Sequence, residues 1–170
     1  MTYSPKAIAN FFLELAASKG ESITPMKLQK LVYYAHGWYL GYTRQPLIDE
    51  AIEAWQYGPV IPSLYHEFKQ FGSCGIKSKA TEFDGARFDF VEVQPPQEES
   101  TNKFLSNVWN SYGKYTGAKL SEMTHAEGSP WEGTWKAARG MKGADIPLDL
   151  IEQHFKAVIK KLTSQRKETA

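Results

Sequence analysis

The sequence predicts a mostly α-helical α+β fold, a compact domain of about six to seven helices with a small two- or three-stranded antiparallel β element. Three observations support this prediction. Start signals made of a capping residue followed by proline recur along the chain, apolar residues repeat at helical spacing in most segments, and only two short segments alternate as strands do. With 170 residues, of which 42% are hydrophobic, the chain can bury a core without disulfides or a structural metal.

The first two helices begin with the same kind of signal. Ser4–Pro5 and Thr24–Pro25 each place an N-cap residue before a proline at the first helical position. The two short helices would form an αα-hairpin, and Lys27 and Lys30 lie off the buried stripe of the second. The predicted stripes comprise Ile8, Phe11, Phe12 and Leu15 in the first helix and Leu28, Leu31, Val32, Ala35 and Tyr39 in the second.

The middle of the chain contains the expected β element. Residues 51–57 alternate imperfectly and stop at Gly58–Pro59, so they predict one short strand. Pro62 opens a third helix that ends at the next glycine, and the polar, glycine-bearing residues 72–86 predict an exposed loop. Residues 88–93 alternate again and predict a second strand, which is a candidate partner for the first.

One domain is expected over residues 1–165. Pro95–Pro96, followed by acidic residues, marks the expected break between its two subregions, 1–94 and 97–165. Residues 166–170 are predicted to be a flexible tail.

Four more helices are predicted after this break. Ser129 and Glu132 have the three-residue spacing of a capping box, so that start is the best defined of the four. The expected starts are Ser100 or Thr101, Gly117, Ser129–Pro130 and Pro147.

Charge and composition exclude several classes of protein. Lys plus Arg number 20 and Asp plus Glu number 19, so a net charge of +1 cannot hold nucleic acid by counterion release alone. The single Cys74 excludes an internal disulfide and a cysteine-based zinc site. No apolar run approaches the roughly 20 residues that a membrane span needs, and the N-terminus resembles a helix start rather than a signal peptide. The sequence therefore predicts a cytoplasmic protein without membrane contact.

No residue pattern predicts an enzyme, a metal site or a cofactor. His66–Glu67 is not the start of a helical metal motif, because Gln70 stands where the second histidine would be needed. His125 and Glu127 are too close in sequence to share a helix face. The chain also lacks a Gly-x-Ser-x-Gly nucleophile elbow and a phosphate-binding loop. We therefore expect no catalytic, cofactor-binding or metal-binding residues.

A winged-helix-like DNA-binding transcriptional autoregulator is the alternative function. Two helices, a third helix and a hairpin could build such a domain. The second helix, however, carries four aromatic residues where a recognition helix presents Arg, Asn, Gln or Lys to base edges. These residues are Tyr33, Tyr34, Trp38 and Tyr39. The sequence does not favour nucleic acid as the main partner.

The aromatic residues point instead to a protein partner. Five Trp, nine Tyr and nine Phe exceed what a core of this size covers, and Trp and Tyr are common interface anchors. Two turns, Tyr57–Pro62 and His125–Trp131, combine such residues with prolines, and Glu67 and Lys69 are expected to be exposed beside the first. In the alternative interpretation, both turns only lock the two subregions together. The predicted partner-binding residues are Trp38, Trp55, Tyr57, Gly58, Pro59, His66, Glu67, Lys69, His125 and Trp131.

A series of short motifs resembles a known family. In chain order they are ITPMKLQKLVYYAHGW at 23–38, PL at 46–47, DE at 49–50, IEAW at 52–55, YGPV at 57–60, PSLY at 62–65, EFK at 67–69, LS at 120–121, TH at 124–125 and EGSPW at 127–131. The chain is similar, from about residue 5 to about residue 155, to the Panacea-domain or SocA-like antitoxins, also known as phage-associated GepA-like proteins. The loop from Ser73 to Phe88 carries no motif of this series.

The resemblance implies a bacterial antitoxin of a type II-like toxin–antitoxin pair, which can be prophage-borne. Such a protein neutralises its cognate toxin by direct protein contact, and some members are similar to adaptors that deliver the toxin to a protease. The family has no accepted catalytic residues to carry over to this chain. The expected partners are therefore a cognate toxin and, as further candidates, a protease and a second copy of the chain.

Overall fold

The computed structural model of the protein describes residues 1–169, and its architecture confirms the predicted fold class. The helices of the described chain are α1 (Pro5–Ser18), α2 (Pro25–Thr43), α3 (Pro62–Phe68), α4 (Glu99–Tyr112), α5 (Gly117–Thr124), α6 (Pro130–Ala137) and α7 (Leu148–Glu168), with a 3-10 turn at Lys69–Phe71. The strands are β1 (Glu53–Trp55), β2 (Gly58–Val60), β3 (Thr81–Asp84), β4 (Asp89–Glu92) and β5 (Ala144–Asp145). The molecule is thus mostly α-helical with a small antiparallel β element.

Local capping explains where the helices begin. The Ser4 hydroxyl accepts the backbone N–H of Lys6 at 3.1 Å, and proline occupies the first position of α1. Ser129 caps α6 in the same way, accepting the N–H of Glu132 at 3.2 Å. The Glu132 carboxylate accepts the N–H of Gly128 at 2.6 Å, which completes the cap one residue before the position that a capping box uses. The predicted helix starts at these signals are confirmed.

Helix α2 lies at the centre of the molecule. Helices α1, α4, α5 and α7, together with β2, pack around it, and residues 28–37 are all buried. Helix α7 crosses α2 closely, because a side chain at Gly37 would overlap the Phe155 ring. Lys30, which the periodicity placed off the buried stripe, is buried because the surrounding elements cover that side of the helix as well.

The first sheet has the strand order β2-β1-β5 and is antiparallel throughout. A strand lies within the predicted segment 51–57, but the turn predicted over Tyr57–Pro62 contains β2, where Gly58 pairs with Trp55 and Pro59 with Ala54. Proline is tolerated there because β2 is an edge strand and needs no amide hydrogen on its outer side. Gly58 has a φ of +106°, and a Cβ there would lie 2.6 Å from the Thr124 hydroxyl, so only glycine fits.

The second sheet is the hairpin β3–β4, which corrects two further predictions. The expected loop over 72–86 contains β3, and the predicted strand at 88–93 pairs with β3 rather than with β1. The local turn decides this pairing, since the Asp84 carboxylate accepts the N–H groups of Ala86 and Arg87 at 2.8 and 3.3 Å. Hairpin strands close in sequence pair at a smaller entropic cost than distant ones.

The chain ends in the long helix α7, which continues to Glu168. Residues 166–168 of the predicted tail are therefore helical, and Ala170, its last residue, lies outside the described residues. Among residues 1–169, no helix is both long enough and apolar enough to cross a membrane.

Candidate functional site

A groove opens where the start of α2, the hairpin β1–β2 and α3 meet. Its volume is about 470 Å³, and its wall is mainly apolar. Three of the predicted partner-binding residues, Trp55, Tyr57 and Lys69, line it, together with Tyr65 and Lys142. We call this feature the aromatic groove; Met26, Gln29, Lys30, Val60 and Leu64 are among the residues that complete its wall.

The hairpin β1–β2 positions the first wall of the groove. Trp55 leaves β1 with its indole N–H donating to the Glu53 carboxylate at 2.7 Å, which fixes the ring in place. The Tyr65 ring of α3 meets it edge to face, with 4.7 Å between ring centroids. Tyr57, in the turn between the strands, is 62% exposed. The Trp55 ring is therefore fixed in position, whereas the Tyr57 ring is exposed and free to contact a partner.

Lys142 approaches the groove from the turn before β5. Its Nζ lies 3.7 Å from the centroid of the Trp55 ring and 5.9 Å from that of Tyr65. These are cation–π distances, and they hold the ammonium against the aromatic wall. Lys142 was missed by the sequence reasoning, because it lies in a polar turn far along the chain and no motif there marks it. Tyr65 had a visible signal, since its spacing after Pro62 places it on the exposed side of α3.

Lys30 contributes the most unusual group of the site. Its residue is 1% exposed, and its Nζ donates to the carbonyl of Pro59 at 2.9 Å. Burial lowers the pKa of Lys30 to about 7, since the charged form loses its water without gaining a carboxylate. The neighbouring Gln29 amide ties α2 to the chain after β2, donating to the Ile61 carbonyl at 3.0 Å and accepting its N–H at 2.8 Å.

The groove carries positive charge on an apolar wall. The exposed Lys69 and Lys142 line it, whereas no Asp or Glu occurs among the described residues of its wall. Such a wall suits a ligand that combines an apolar side chain with negative charge.

Four predicted residues lie in the hairpin or beneath it rather than in the groove. Trp131 is 7% exposed, and its indole N–H donates to the Trp55 carbonyl at 2.7 Å. The His125 ring packs on Trp131 at 3.9 Å between centroids, and its Nε2 lies 3.2 Å from the Gln56 carbonyl. Gly58 and Pro59 are buried as well. These contacts join the hairpin to α5 and α6, as expected if the two turns lock the subregions together.

The remaining predicted residues lie outside the groove. Glu67 is not free on the surface, because it accepts hydrogen bonds from Lys6 Nζ and from the N–H of Thr81, both at 2.8 Å. His66 is exposed beside Tyr65. Trp38 lies near the other end of α2, where its indole donates to the Tyr112 hydroxyl at 2.7 Å. Among residues 1–169, no group of three His, Cys, Asp or Glu side chains could hold a metal ion.

Comparison with known proteins supports the resemblance seen in the motifs. A family model described as the antitoxin SocA-like Panacea domain matches residues 28–132. Antitoxin SocA of Caulobacter vibrioides (strain NA1000 / CB15N) is 33% identical over 127 residues, which cover 75% of this chain and 68% of that relative. No solved structure gives a significant match. Most of the aromatic groove falls inside the matched segment, and Lys142 lies beyond it. The chain belongs to the SocA-like, Panacea-domain antitoxin family.

Proposed function

We propose that the protein is the antitoxin of a type II-like pair and neutralises a cognate toxin by direct contact at the aromatic groove. Family membership supports an antitoxin role. The observation that carries the docking proposal is the wall of Trp55, Tyr57 and Tyr65, which lies open between α2 and α3 with lysines at its edge.

The groove has the properties of a protein-docking site. Interface energy is concentrated in a few residues, among which Trp, Tyr and Arg are enriched. The backbone behind Tyr57 is rigid, because Pro59 and the buried Trp131 hold the hairpin, so little ordering entropy is lost on binding. Lysines at the rim add electrostatic steering toward an acidic partner.

In this proposal the protein acts stoichiometrically rather than as an enzyme. Blocking a toxin requires one antitoxin for each toxin molecule, and the groove offers binding groups rather than an assembled nucleophile and base. The same complex would allow the protein to present its toxin to a protease as an adaptor.

The winged-helix alternative would need α2 or α3 as a recognition helix. Helix α2 is buried over residues 28–37, so it presents no face to a DNA groove. Helix α3 has only seven residues and lies against α1 and α2. We therefore do not propose DNA recognition as the main function.

Co-expression with the product of the adjacent gene tests the proposal. The antitoxin should restore growth and copurify with that product in near-equal amounts, also in a protease-deficient strain. Tyr57→Ala or Lys69→Glu should leave folding intact and weaken the complex by more than about 1 kcal/mol. Tyr42→Ala is the matched control, because Tyr42 is 63% exposed, as Tyr57 is at 62%, but lies near the far end of α2.

Two results would contradict this proposal. Rescue at strongly substoichiometric antitoxin, without a complex in the protease-deficient strain, would point to an enzyme. Normal neutralisation by every groove variant would place the docking surface elsewhere. The hairpin β3–β4 would then be the next candidate, because its side chains Phe83, Phe88 and Phe90 are exposed.

A further inference from the structure

Hairpin β3–β4 exposes an aromatic face to solvent. Phe83 and Phe90 stand opposite each other in the register of the hairpin, so their side chains lie on the same side of it. Phe88, in the connecting turn, meets Phe83 edge to face, with 5.5 Å between ring centroids. Phe83, Phe88 and Phe90 are 52%, 84% and 67% exposed. Clustered aromatic side chains left in water are typical of a surface that another molecule covers.

Phe88 occupies a backbone conformation that a large side chain rarely adopts. Its φ is +54°, in the left-handed region that favours glycine and asparagine. The facing pair Asp84 and Asp89 adds a second unfavourable feature, because like charges opposite each other in a hairpin repel. Neither feature stabilises the isolated molecule. Departures of this kind from local structural preference are typical of functional surfaces.

The hairpin is also strongly acidic. Residues 81–92 contain four acidic residues and one basic residue, for a net charge of −3. The basic residue, Arg87, pairs with Asp84 at 3.5 Å. Glu82 and Asp89 are exposed and form no salt bridge within residues 1–169. This charge opposes a contact between two such hairpins and favours a partner surface that is positively charged.

The aromatic groove offers the complementary surface. Its wall combines three aromatic side chains with the exposed Lys69 and Lys142, and no Asp or Glu occurs among the described residues of that wall. Its volume of about 470 Å³ lies in the usual range for pockets that hold a ligand, roughly 300–1,000 Å³. None of the described hairpin residues 81–92 lines the groove of its own chain, so the groove of one molecule is open to the hairpin of another.

We propose that the protein associates with a second copy of itself by inserting hairpin β3–β4 of one molecule into the aromatic groove of the other. The phenylalanine face of the hairpin would pack against Trp55 and Tyr57, and the hairpin carboxylates would meet Lys69 and Lys142 at the rim. The contact is heterologous, since it joins two different surfaces. It goes beyond the proposed function, and because it fills the groove, self-association and toxin docking there would exclude each other.

Sedimentation velocity of the purified protein over a range of concentrations tests the inference without the toxin. A contact made by one hairpin is small, so we expect reversible association with a dissociation constant on the order of 10 μM. Raising the salt concentration from about 0.05 to 0.5 M should weaken association at least about threefold, because salt screens the charges of both surfaces. A protein that remains monomeric at about 500 μM would overturn the inference.

Variants at each surface separate the two halves of the contact. Phe88→Asn on the hairpin and the double change Tyr57→Ala/Lys142→Glu in the groove should each weaken self-association at least about tenfold. Phe88→Asn should not lower the melting temperature, because asparagine tolerates the positive φ. Lys103→Glu, at an exposed position on α4, is the control for the change of charge and should associate as the unmodified protein does.

Mixing the hairpin variant with the groove variant distinguishes this contact from a symmetric one. The hairpin variant retains an intact groove and the groove variant retains an intact hairpin, so the mixture should associate although neither variant does so alone. A different fluorescent label on each variant shows in sedimentation whether the complex contains one copy of each. A mixture that associates no more than the separate variants would overturn the inference, even if the unmodified protein is dimeric.

The toxin complex is measured separately. If the mixed variants associate but toxin neutralisation survives every groove variant, self-association is supported and the proposal of toxin docking at the groove fails. If groove variants lose the toxin but the purified protein is monomeric at every concentration, the docking proposal stands and this inference is overturned.

Discussion

At the scale of single residues, the groove combines side chains that are held in place with one that is free. Trp55 is fixed by its bond to Glu53, by Tyr65 and by the Lys142 ammonium. Tyr57 is exposed and makes no side-chain hydrogen bond within residues 1–169. A held surface lowers the entropy cost of binding, and an exposed ring supplies apolar area that a partner can bury.

The burial of Lys30 predicts how stability depends on pH. The folded-state pKa, about 7, lies below the ordinary value of 10.5, so the unfolded chain holds a proton that the folded chain has lost over this interval. The free energy of unfolding should therefore rise with pH from about 7 to 10, with a contribution from Lys30 of up to about 1.4 kcal/mol per pH unit. Urea unfolding between pH 6 and 9 measures this slope.

Lys30→Met is the control for this measurement. The variant should show a smaller increase of the free energy of unfolding with pH. It should be stabilised most, relative to the unmodified protein, at pH 6, because Lys30 is then charged while buried. An unchanged slope in the variant would assign the pH dependence to another group.

At the scale of elements, two hairpins with different supports flank α3. Hairpin β1–β2 rests on α5 and α6 through Trp131 and Ser121, whose hydroxyl donates to the Tyr57 carbonyl at 2.7 Å. Hairpin β3–β4 is attached at its base by Asn10, whose amide contacts Ala80 and Val93, while its tip is exposed. An isolated two-stranded hairpin is marginal in water, so these attachments determine whether each one is ordered.

Asn10→Ala should release hairpin β3–β4. The fully buried amide donates to the carbonyls of Ala80 and Val93 at 3.0 and 2.7 Å and accepts the N–H of Ala80 at 2.7 Å. Its removal leaves buried backbone groups unpaired, at a cost of about 2–4 kcal/mol. Urea unfolding gives the loss of stability, and hydrogen exchange should show faster exchange in β3 and β4 but not in β1 and β2. Asn107→Ala, at an exposed position on α4, should cost less than about 0.5 kcal/mol.

Gly58→Ala should displace hairpin β1–β2 and thereby the aromatic groove. The positive φ and the approach to Thr124 both resist a Cβ, so we expect a loss of stability of more than about 1 kcal/mol and weaker toxin binding. Gly133→Ala is the opposite case, because a Cβ there meets nothing within 4 Å in an exposed part of α6. It should stabilise the protein by about 0.5–1 kcal/mol. Similar melting temperatures for the two variants would contradict this account.

At the scale of the whole molecule, charge is balanced and the central helix is enclosed. A net charge of +1 and a buried α2 leave no extended basic face on the part of the fold that resembled a recognition unit. The exposed basic residues in the last turn of α7, Arg166 and Lys167, lie where positive charge complements the helix dipole.

DNA binding should therefore be at most non-specific, with a dissociation constant of about 10⁻⁴ to 10⁻⁶ M at physiological salt. A gel-shift titration with the promoter of its own gene, against a scrambled duplex of equal length, measures this. Sub-micromolar binding that prefers the promoter would contradict the expectation and restore the autoregulator alternative.

Sequence alone determined the features that depend on neighbours along the chain. Helix starts follow from Ser4–Pro5, Thr24–Pro25 and Ser129–Pro130, because a cap and a proline act within one helical turn. The family likewise followed from short motifs in order. The aromatic character of the groove was visible in part, through Trp55 and Tyr57.

Tertiary structure alone decided which strands pair and which polar groups are buried. The pairing of β1 with β5, the burial of Lys30 and Trp131, and the approach of Lys142 to Trp55 all involve segments whose meeting no local pattern encodes. Periodicity describes one face of a helix, but residues 28–37 of α2 are covered on every side, so a lysine off its apolar stripe is still removed from water. The groove and its buried charge arise from that enclosure, because burial is a property of all the elements that pack around a residue.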